Sequence, residues 1–428
     1  MSAVAEDSVS YLGRIRAFGW NARLYLLHIF GMDVIHGAWE VLFNLYLLAI
    51  GFDVRFIGLR LLLMGIAGAL SSIPAGRLAD RIDRKWGFII GDGGGAVCSV
   101  ILIMSIDGNV ILAFSAISAC FGALHHVTEV PFMAENSAAG ERIHLFSVGS
   151  GFRTLAAMLG ALVAGFLPMR LLGGGMELPE AYRLAVMFAI GWWFLSLIPA
   201  IFLRRNPPEE LFEDEGEEHP AGMFAAIRNG ATIFHFVVIS SLLALGGGFV
   251  LRLANVFFLQ DAHASEQEIG TIFAVGSLFL ALGAFLVPLV VARFGEVMSV
   301  FWTRLAAIPF ILLIGYAPQL ASPQTVVSLA GLAWVLRTSL FNMSNPAIDA
   351  FSMGRLHPGE RATFVGISSL FAQALAAVGA YTGATLMAAG DYRTPFIVMA
   401  VMYLISTLLF FRWFSGVSGR SDAATAEG

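Results

Sequence analysis

Long apolar segments alternate with short polar ones along nearly the whole chain. Each apolar segment has roughly 20 or more residues, enough for an α-helix to cross the ~30 Å hydrocarbon core of a bilayer. The segments are unbroken, whereas a membrane β-barrel would show ten-residue stretches of alternating polarity. The pattern therefore predicts twelve transmembrane helices, near 24–50, 56–75, 86–106, 110–133, 145–168, 182–203, 230–258, 269–291, 298–316, 325–347, 362–388 and 394–414.

The longest polar interruption, residues 204–220, reads R-R-N-P-P-E-E-L-F-E-D-E-G-E-E-H-P. Its prolines and acidic run are typical of a solvated linker, because such a segment cannot bury enough apolar surface to fold. The linker divides the chain into six helices plus six. We expect an N-terminal tail (1–23), a six-helix bundle (24–203), an acidic linker (204–229), a second six-helix bundle (230–414) and a C-terminal tail (415–428).

Composition agrees with this fold class, an all-α membrane protein. Hydrophobic residues make up 58% of the chain and charged residues only 13%, and the mean hydropathy is +0.79. Soluble domains carry about 25% charged residues. The two cysteines, Cys98 and Cys120, lie inside apolar segments and give no disulfide framework.

The basic residues predict the orientation. Most lie in loops on the N-terminal side of the membrane, and the opposite loops hold only Arg55, Arg170, Arg183 and Arg393. Cytoplasmic loops carry the excess of Lys and Arg, so both termini are expected in the cytoplasm. We expect a multi-pass protein of the bacterial cytoplasmic (inner) membrane.

Residues 76–85, G-R-L-A-D-R-I-D-R-K, form a charge-dense turn between the second and third apolar segments. The turn resembles the loop between helices 2 and 3 of the major facilitator superfamily, G-x-L-a-D-r-x-G-r-k, although Asp83 stands where the family usually has a second glycine. The resemblance implies two pseudo-symmetric six-helix bundles. It also implies a charge cluster at the cytoplasmic mouth that stabilises the outward-open state. The expected gating residues are Gly76, Asp80, Arg81, Arg84 and Lys85.

The two halves of the sequence repeat each other. The triplet G-E-R at 140–142 recurs at 359–361, and counting on by the same offset makes Gly160 equivalent to Gly379. Two halves related by a parallel repeat are expected for this kind of transporter.

Ionisable and amide side chains inside the spans concentrate in the first, fourth, seventh and tenth. Such groups are costly in a bilayer and normally face a cavity or a partner. In the family that the loop resembles, these same four helices line the central cavity. The candidate substrate and proton pathway comprises Asp33, His36, Glu40, Asn44, His125, His126, Glu129, Arg153, Arg252, Asn255, Arg337, Asn342 and Asn345.

The spacing in the first span, Asp33, His36, Glu40 and Asn44, places all four on one helical face. We hypothesise that Asp33, Glu40, His125 or His126, and Glu129 form a titratable cluster in the N-terminal half. Arg252 and Arg337 would face this cluster from the other half. Carboxylates in a partly dry cavity and nearby histidines can take up and release protons near neutral pH. The alternative is that these groups only pair with one another and hold the helices together.

A divalent metal is a further alternative, because imidazole and carboxylate suit such ions, but the nearby arginines argue against a cation as cargo. We therefore assign no metal site and no cofactor. The glycines around Asp92, in G-D-G-G-G-A, predict close helix packing, and Asp92 is assigned to the charge cluster around Asp80.

Substrate signatures are weak. Where drug exporters of the resembled family carry an arginine in the fourth helix, this chain has Ser118, and Ala161 and Ala164 interrupt the antiporter motif of the fifth. The sequence predicts a monomeric, non-enzymatic secondary transporter for a small solute, driven by protons, with export preferred. Proton-coupled uptake, lipid or lysolipid transport, metal transport and a non-transporting scaffold remain alternatives. Its partners are the solute, protons and the bilayer, and no nucleic acid is expected.

Overall fold

The computed structural model describes residues 18–79, 81–137, 139–204 and 229–416. Almost all of them are helical. The first half contains α1 (Trp20–Ala49), α2 (Val54–Ala79), α3 (Arg84–Met104), α4 (Gly108–Glu135), α5 (Ala139–Gly173) and α6 (Leu178–Ile201). The second half contains α7 (Gly230–Gly248), α8 (Ala254–Gln260), α9 (Glu266–Phe294), α10 (Glu296–Leu320), α11 (Val326–Asn342), α12 (Asn345–Arg355), α13 (Pro358–Ala388) and α14 (Arg393–Phe414).

These helices confirm the predicted all-helical membrane fold. Eleven helical segments among the described residues are long and apolar enough to cross a membrane, and the 29-residue α9 occupies the position of the remaining predicted span. Local chemistry sets several helix starts. Asp107 accepts a hydrogen bond from the Asn109 backbone at the start of α4, and Ser265 and Glu268 form a capping box at the start of α9.

Two predicted spans are interrupted. The seventh consists of α7, a short 3-10 turn at Leu251–Leu253 and α8. The break follows the glycine run 246–248, and glycine has a low helix propensity. The tenth consists of α11 and α12. Pro346 stands in the first turn of α12, where its missing N–H removes no helical hydrogen bond.

The predicted internal repeat appears as repeated packing. A Cβ atom added to Gly160 of α5 would lie 2.0 Å from the Val34 carbonyl oxygen of α1, and one added to Gly379 of α13 would lie 2.4 Å from the Leu245 carbonyl oxygen of α7. Both contacts require glycine, because any side chain would collide with backbone. The same helix pair therefore packs in the same way in each half, which is the pseudo-symmetry predicted from the sequence.

The two halves pack against each other at the end of the bundle where α1 and α13 finish; we call this the closed end. There α2 packs on α13, with Gly58 against Ala384, and α5 packs on α9, with Gly165 against Gly270. The glycines allow the backbones to approach closely. This contact fixes the position of the polar side chains described next.

Candidate functional site

One face of α1 carries the polar residues that the spacing predicted. His36 Nδ1 lies 2.9 Å from Asp33 Oδ1, and the other oxygen, Oδ2, is buried without a hydrogen-bond partner among the described residues. The His36 side chain is 53% exposed, and Glu40 is exposed on the next turn. Asn44, one turn further along the same face, contacts the other half. The face therefore borders a space between the two halves, which we call the central cavity.

A hydrogen-bond network crosses the halves at the closed end of this cavity. Asn44 Nδ2 donates to the Arg252 carbonyl oxygen at 2.8 Å and to Asn255 Oδ1 at 3.0 Å. Asn255 Nδ2 in turn donates to the carbonyl oxygens of Glu40 and Val41, both at 2.9 Å. Arg252 belongs to the 3-10 turn that interrupts the seventh span. The break in that span thus supplies a backbone carbonyl as an acceptor for the opposite half.

Charge also faces charge across the cavity. Arg252 is exposed there and interacts electrostatically with Glu40 of α1. Arg60 of α2 is buried nearby, its guanidinium 3.4 Å from Asn44 Oδ1. The closed end therefore contains one carboxylate and two guanidinium groups that come from both halves.

Glu129 of α4 and Arg153 of α5 form an ion pair within the N-terminal half. Arg153 also donates to the Tyr25 hydroxyl at 3.4 Å. His126 is exposed, and its ring forms a T-shaped arrangement with that of His125. Glu129 is thus already neutralised by a cation of its own half, which distinguishes it from Glu40.

Sequence reasoning missed the cluster with the best-defined geometry, which joins α1, α3 and α4. Asp92 Oδ2 lies 2.9 Å from both His28 Nε2 and His125 Nδ1, and all three side chains are buried. Asp92, assigned to the loop cluster around Asp80, instead sits between the two histidines. The available signal was the presence of His28 and Asp92 inside apolar spans, which the unfavourable cost of such groups singles out.

Arg337 of the tenth span was expected to face the titratable cluster of the N-terminal half, but its contacts lie within the C-terminal half. Arg337 is 4% exposed and donates to the Tyr403 hydroxyl of α14 at 3.0 Å. Its guanidinium also lies over the rings of Trp334 and Phe341. Aromatic faces and a hydroxyl stabilise the cation inside the C-terminal half. These contacts of Arg337 are all with residues of its own bundle. This arrangement is not apparent from helical spacing alone.

The remaining polar residues of the tenth span mark its interruption. Asn345 Nδ2 donates to Asn342 Oδ1 at 3.0 Å, and Asn342 Nδ2 donates to the Thr338 carbonyl oxygen at 2.8 Å. Both side chains therefore satisfy local hydrogen bonds where α11 gives way to α12.

The charge-dense turn joins α2 to α3 and also contacts the end of α4. Asp83 caps α3 by accepting from the Lys85 backbone at 2.9 Å. Arg84 donates to the Ala79 carbonyl oxygen at 3.0 Å and forms an ion pair with Glu135 at the end of α4, 3.1 Å away. Gly76 lies in the last turn of α2, and Arg81 is exposed. Asp80 lies outside the described residues, as do residues 205–228 of the linker and the side chains of 140–142.

Comparison with known proteins identifies the fold. The family model described as "Major Facilitator Superfamily" matches residues 24–341 and 237–427. The chain resembles the nucleoside transporter NupG (TM-score 0.72, 16% identity, 92% of this chain and 98% of that one). It also resembles an inward-facing bacterial homologue of the iron transporter ferroportin (0.70, 17%, 92% and 98%).

A third structure, a bacterial homologue of the human lysosomal transporter Spinster in an inward-facing, unoccupied conformation, gives a TM-score of 0.66 at 17% identity. That match covers 94% of this chain and 97% of that one. At these identities the likeness shows the fold alone. No curated protein sequence matches the chain.

Proposed function

Since the chain belongs to the major facilitator superfamily, we propose that it is a secondary transporter that moves a small solute by alternating access and couples this movement to protons. The solute passes through the central cavity as the two six-helix halves rock against each other. Proton coupling can drive either export or uptake of the solute, and a flux assay distinguishes the two directions. The proposed setting is the bacterial cytoplasmic membrane, with both termini in the cytoplasm.

The observation that carries the proton coupling is the position of Glu40 opposite Arg252. The two residues belong to different halves, and the backbone carbonyl oxygen of each accepts one of the hydrogen bonds that hold the closed end together. Ionised Glu40 attracts Arg252 and stabilises closure. Protonated Glu40 loses that attraction, while the hydrogen bonds of Asn44 and Asn255 between the halves remain. A proton on Glu40 therefore favours opening of this end, which links protonation to the direction in which the cavity opens.

The Asp33–His36 pair extends the titratable face away from the closed end. Its histidine is exposed to the cavity and its carboxylate retains an oxygen without a partner. A proton arriving in the cavity can bind this pair before it reaches Glu40, one turn away on the same face. The α1 face thus provides a path for protons along one wall, while solute contacts involve both halves.

The distance across the closed end tests this coupling without knowledge of the solute. Spin labels at two exposed positions, Arg55 of α2 and Ala389 after α13, would report the separation of the halves in nanodiscs. For the wild type, we expect acidification to populate a longer distance. Glu40→Gln should populate that distance at every pH. Asp107→Asn is the matched control, because it neutralises a carboxylate outside the cavity while leaving a side chain that can cap α4.

Wild-type distances that are independent of pH would contradict the proposal. A Glu40→Gln variant that retains the full wild-type pH dependence would remove Glu40 from the coupling.

A further inference from the structure

The buried cluster of His28, Asp92 and His125 lies inside the N-terminal half, between α1, α3 and α4. The exposed fractions of their side chains are 0%, 3% and 4%. One donor atom from each residue lies within 4.8 Å of the other two. Phe88 packs its ring against both imidazoles. The three side chains therefore converge in an apolar environment, closed off from the central cavity.

The hydrogen bonds of His28 fix its tautomer. Its Nδ1 lies 2.7 Å from the backbone oxygen of Ser196, which can only accept, so Nδ1 carries a hydrogen. In neutral imidazole the other nitrogen then presents a lone pair. That nitrogen, Nε2, faces Asp92 Oδ2 at 2.9 Å. A lone pair and a carboxylate repel each other, so a positive species, a proton or a metal ion, must lie between them.

His125 faces the same carboxylate from the other side. Its Nδ1 lies 2.9 Å from the same oxygen of Asp92, and its Nε2 is buried without a hydrogen-bond partner among the described residues. Glu129 Oε2 lies 3.9 Å from that Nε2. If Nδ1 carried the only hydrogen, the lone pair of Nε2 would point towards a second carboxylate. If Nδ1 instead binds a metal, Nε2 carries the hydrogen, whose partial positive charge is attracted by the Glu129 carboxylate 3.9 Å away.

We propose that His28 Nε2, Asp92 Oδ2 and His125 Nδ1 bind one divalent transition-metal ion. Relative to a cluster in which both imidazoles are fully protonated, the ion takes the place of the protons on His28 Nε2 and His125 Nδ1, so the charge of the cluster is unchanged. Two imidazoles and a carboxylate suit Zn²⁺, Fe²⁺ or Co²⁺. Metal-binding histidines almost always donate their second N–H to a carbonyl or carboxylate. Here Ser196 provides the carbonyl for His28, and the Glu129 carboxylate lies 3.9 Å from His125 Nε2, beyond hydrogen-bond distance but close enough to attract its N–H.

The ion is a resident of the fold and not the cargo. Its ligands are buried and come from three helices of one half, so the ion would hold those helices together while the halves rock. Arg153 pairs with Glu129 and donates to the Tyr25 hydroxyl, so its positive charge is compensated by a carboxylate that is not one of the three ligands. The inference is independent of the proton role proposed for Glu40.

Cobalt is the probe for the test, because Co²⁺ bound by nitrogen and oxygen ligands absorbs visible light. The full chain, purified with an affinity tag free of histidine and stripped with a chelator, is titrated with Co²⁺ and then with Zn²⁺. We expect absorption that saturates at one Co²⁺ per chain and disappears as Zn²⁺ replaces it. Asp92→Asn and His125→Gln should weaken binding at least about tenfold. His235→Gln, a histidine of α7 that stacks on Trp413, should bind like the wild type.

Thermal unfolding measurements distinguish a variant that has lost metal binding from one that has lost the fold. Zn²⁺ should raise the melting temperature of the wild type and of His235→Gln, because a ligand that binds the folded state stabilises it by mass action. A variant that unfolds cooperatively without metal and does not respond to Zn²⁺ supports the site. Absence of saturation at one equivalent in the wild type would overturn the proposal, as would wild-type affinity in folded Asp92→Asn or His125→Gln.

Discussion

Asn255 provides the sharpest test of how the closed end is held together. Asn255→Ala removes three hydrogen bonds between the halves: two donated to the carbonyl oxygens of Glu40 and Val41, and one accepted from Asn44. Hydrogen bonds between membrane helices contribute about 0.6 kcal/mol each. Three of them amount to about 1.8 kcal/mol, and since 1.4 kcal/mol is tenfold, the ratio of open to closed forms should rise about 20-fold.

The assay is the distance measurement with labels at positions 55 and 389. In Asn255→Ala we expect the longer distance to grow at a pH where the wild type shows mainly the shorter one. Asn109→Ala is the matched control, because Asn109 is exposed at the same end of the bundle. A distance distribution in Asn255→Ala identical to that of the control would refute the reasoning, since it would mean that the hydrogen bonds of Asn255 do not contribute to holding the halves together.

Two further predictions concern stability. Gly160→Ala should lower the free energy of unfolding by about 1–3 kcal/mol, because its Cβ would meet the Val34 carbonyl oxygen. Gly151→Ala on the same helix, where nothing lies within 4 Å, should not; equal melting temperatures would contradict the packing argument. At the start of α14, hydrogen bonds from Thr394 lower the pKa of Asp391, so its stabilising effect is complete above about pH 4 and is lost at lower pH. Asp391→Ala should therefore melt below the wild type at neutral pH, with a difference that shrinks on acidification; a constant difference would contradict it.

The fold could be predicted from the sequence because its main determinant is one-dimensional. Apolar length reports a membrane span directly, and the equivalence of Gly160 with Gly379 was visible as a sequence offset. The two breaks were harder to predict. The glycine run before residue 249 and Pro346 are local signals, but continuous hydropathy across residues 230–258 and 325–347 masked them.

The candidate site could be predicted only where it depends on a single helix. Spacing along α1 placed Asp33, His36, Glu40 and Asn44 on one face, and the structure brings that face to the central cavity. Partners contributed by other helices could not be inferred in this way. The pairing of Asp92 with two histidines and the burial of Arg337 against Tyr403 depend on how the helices rotate and pack. Periodicity in one segment contains no information about these contacts.

The glycines around Asp92 illustrate the same limit. Their role in close packing was predicted, and a Cβ on Gly91 would lie 3.1 Å from the His125 backbone nitrogen. That close approach of α3 to α4 is also what brings Asp92 within hydrogen-bond distance of His125. Sequence reasoning identified the glycines that allow close packing but not the polar contact that this packing creates.

Proton movement driven by a solute is the most direct test of the account. The protein is reconstituted into liposomes that contain a pH-sensitive dye, and sugars, nucleosides, organic anions, cationic drugs and lysolipids are added outside in turn. We expect at least one class to change the internal pH with the wild type and with Asp107→Asn, and to leave it unchanged with Glu40→Gln. The sign of the change distinguishes export from uptake. A solute that the wild type transports without any proton movement, or one that Glu40→Gln couples as fully as the wild type, would contradict the central claim.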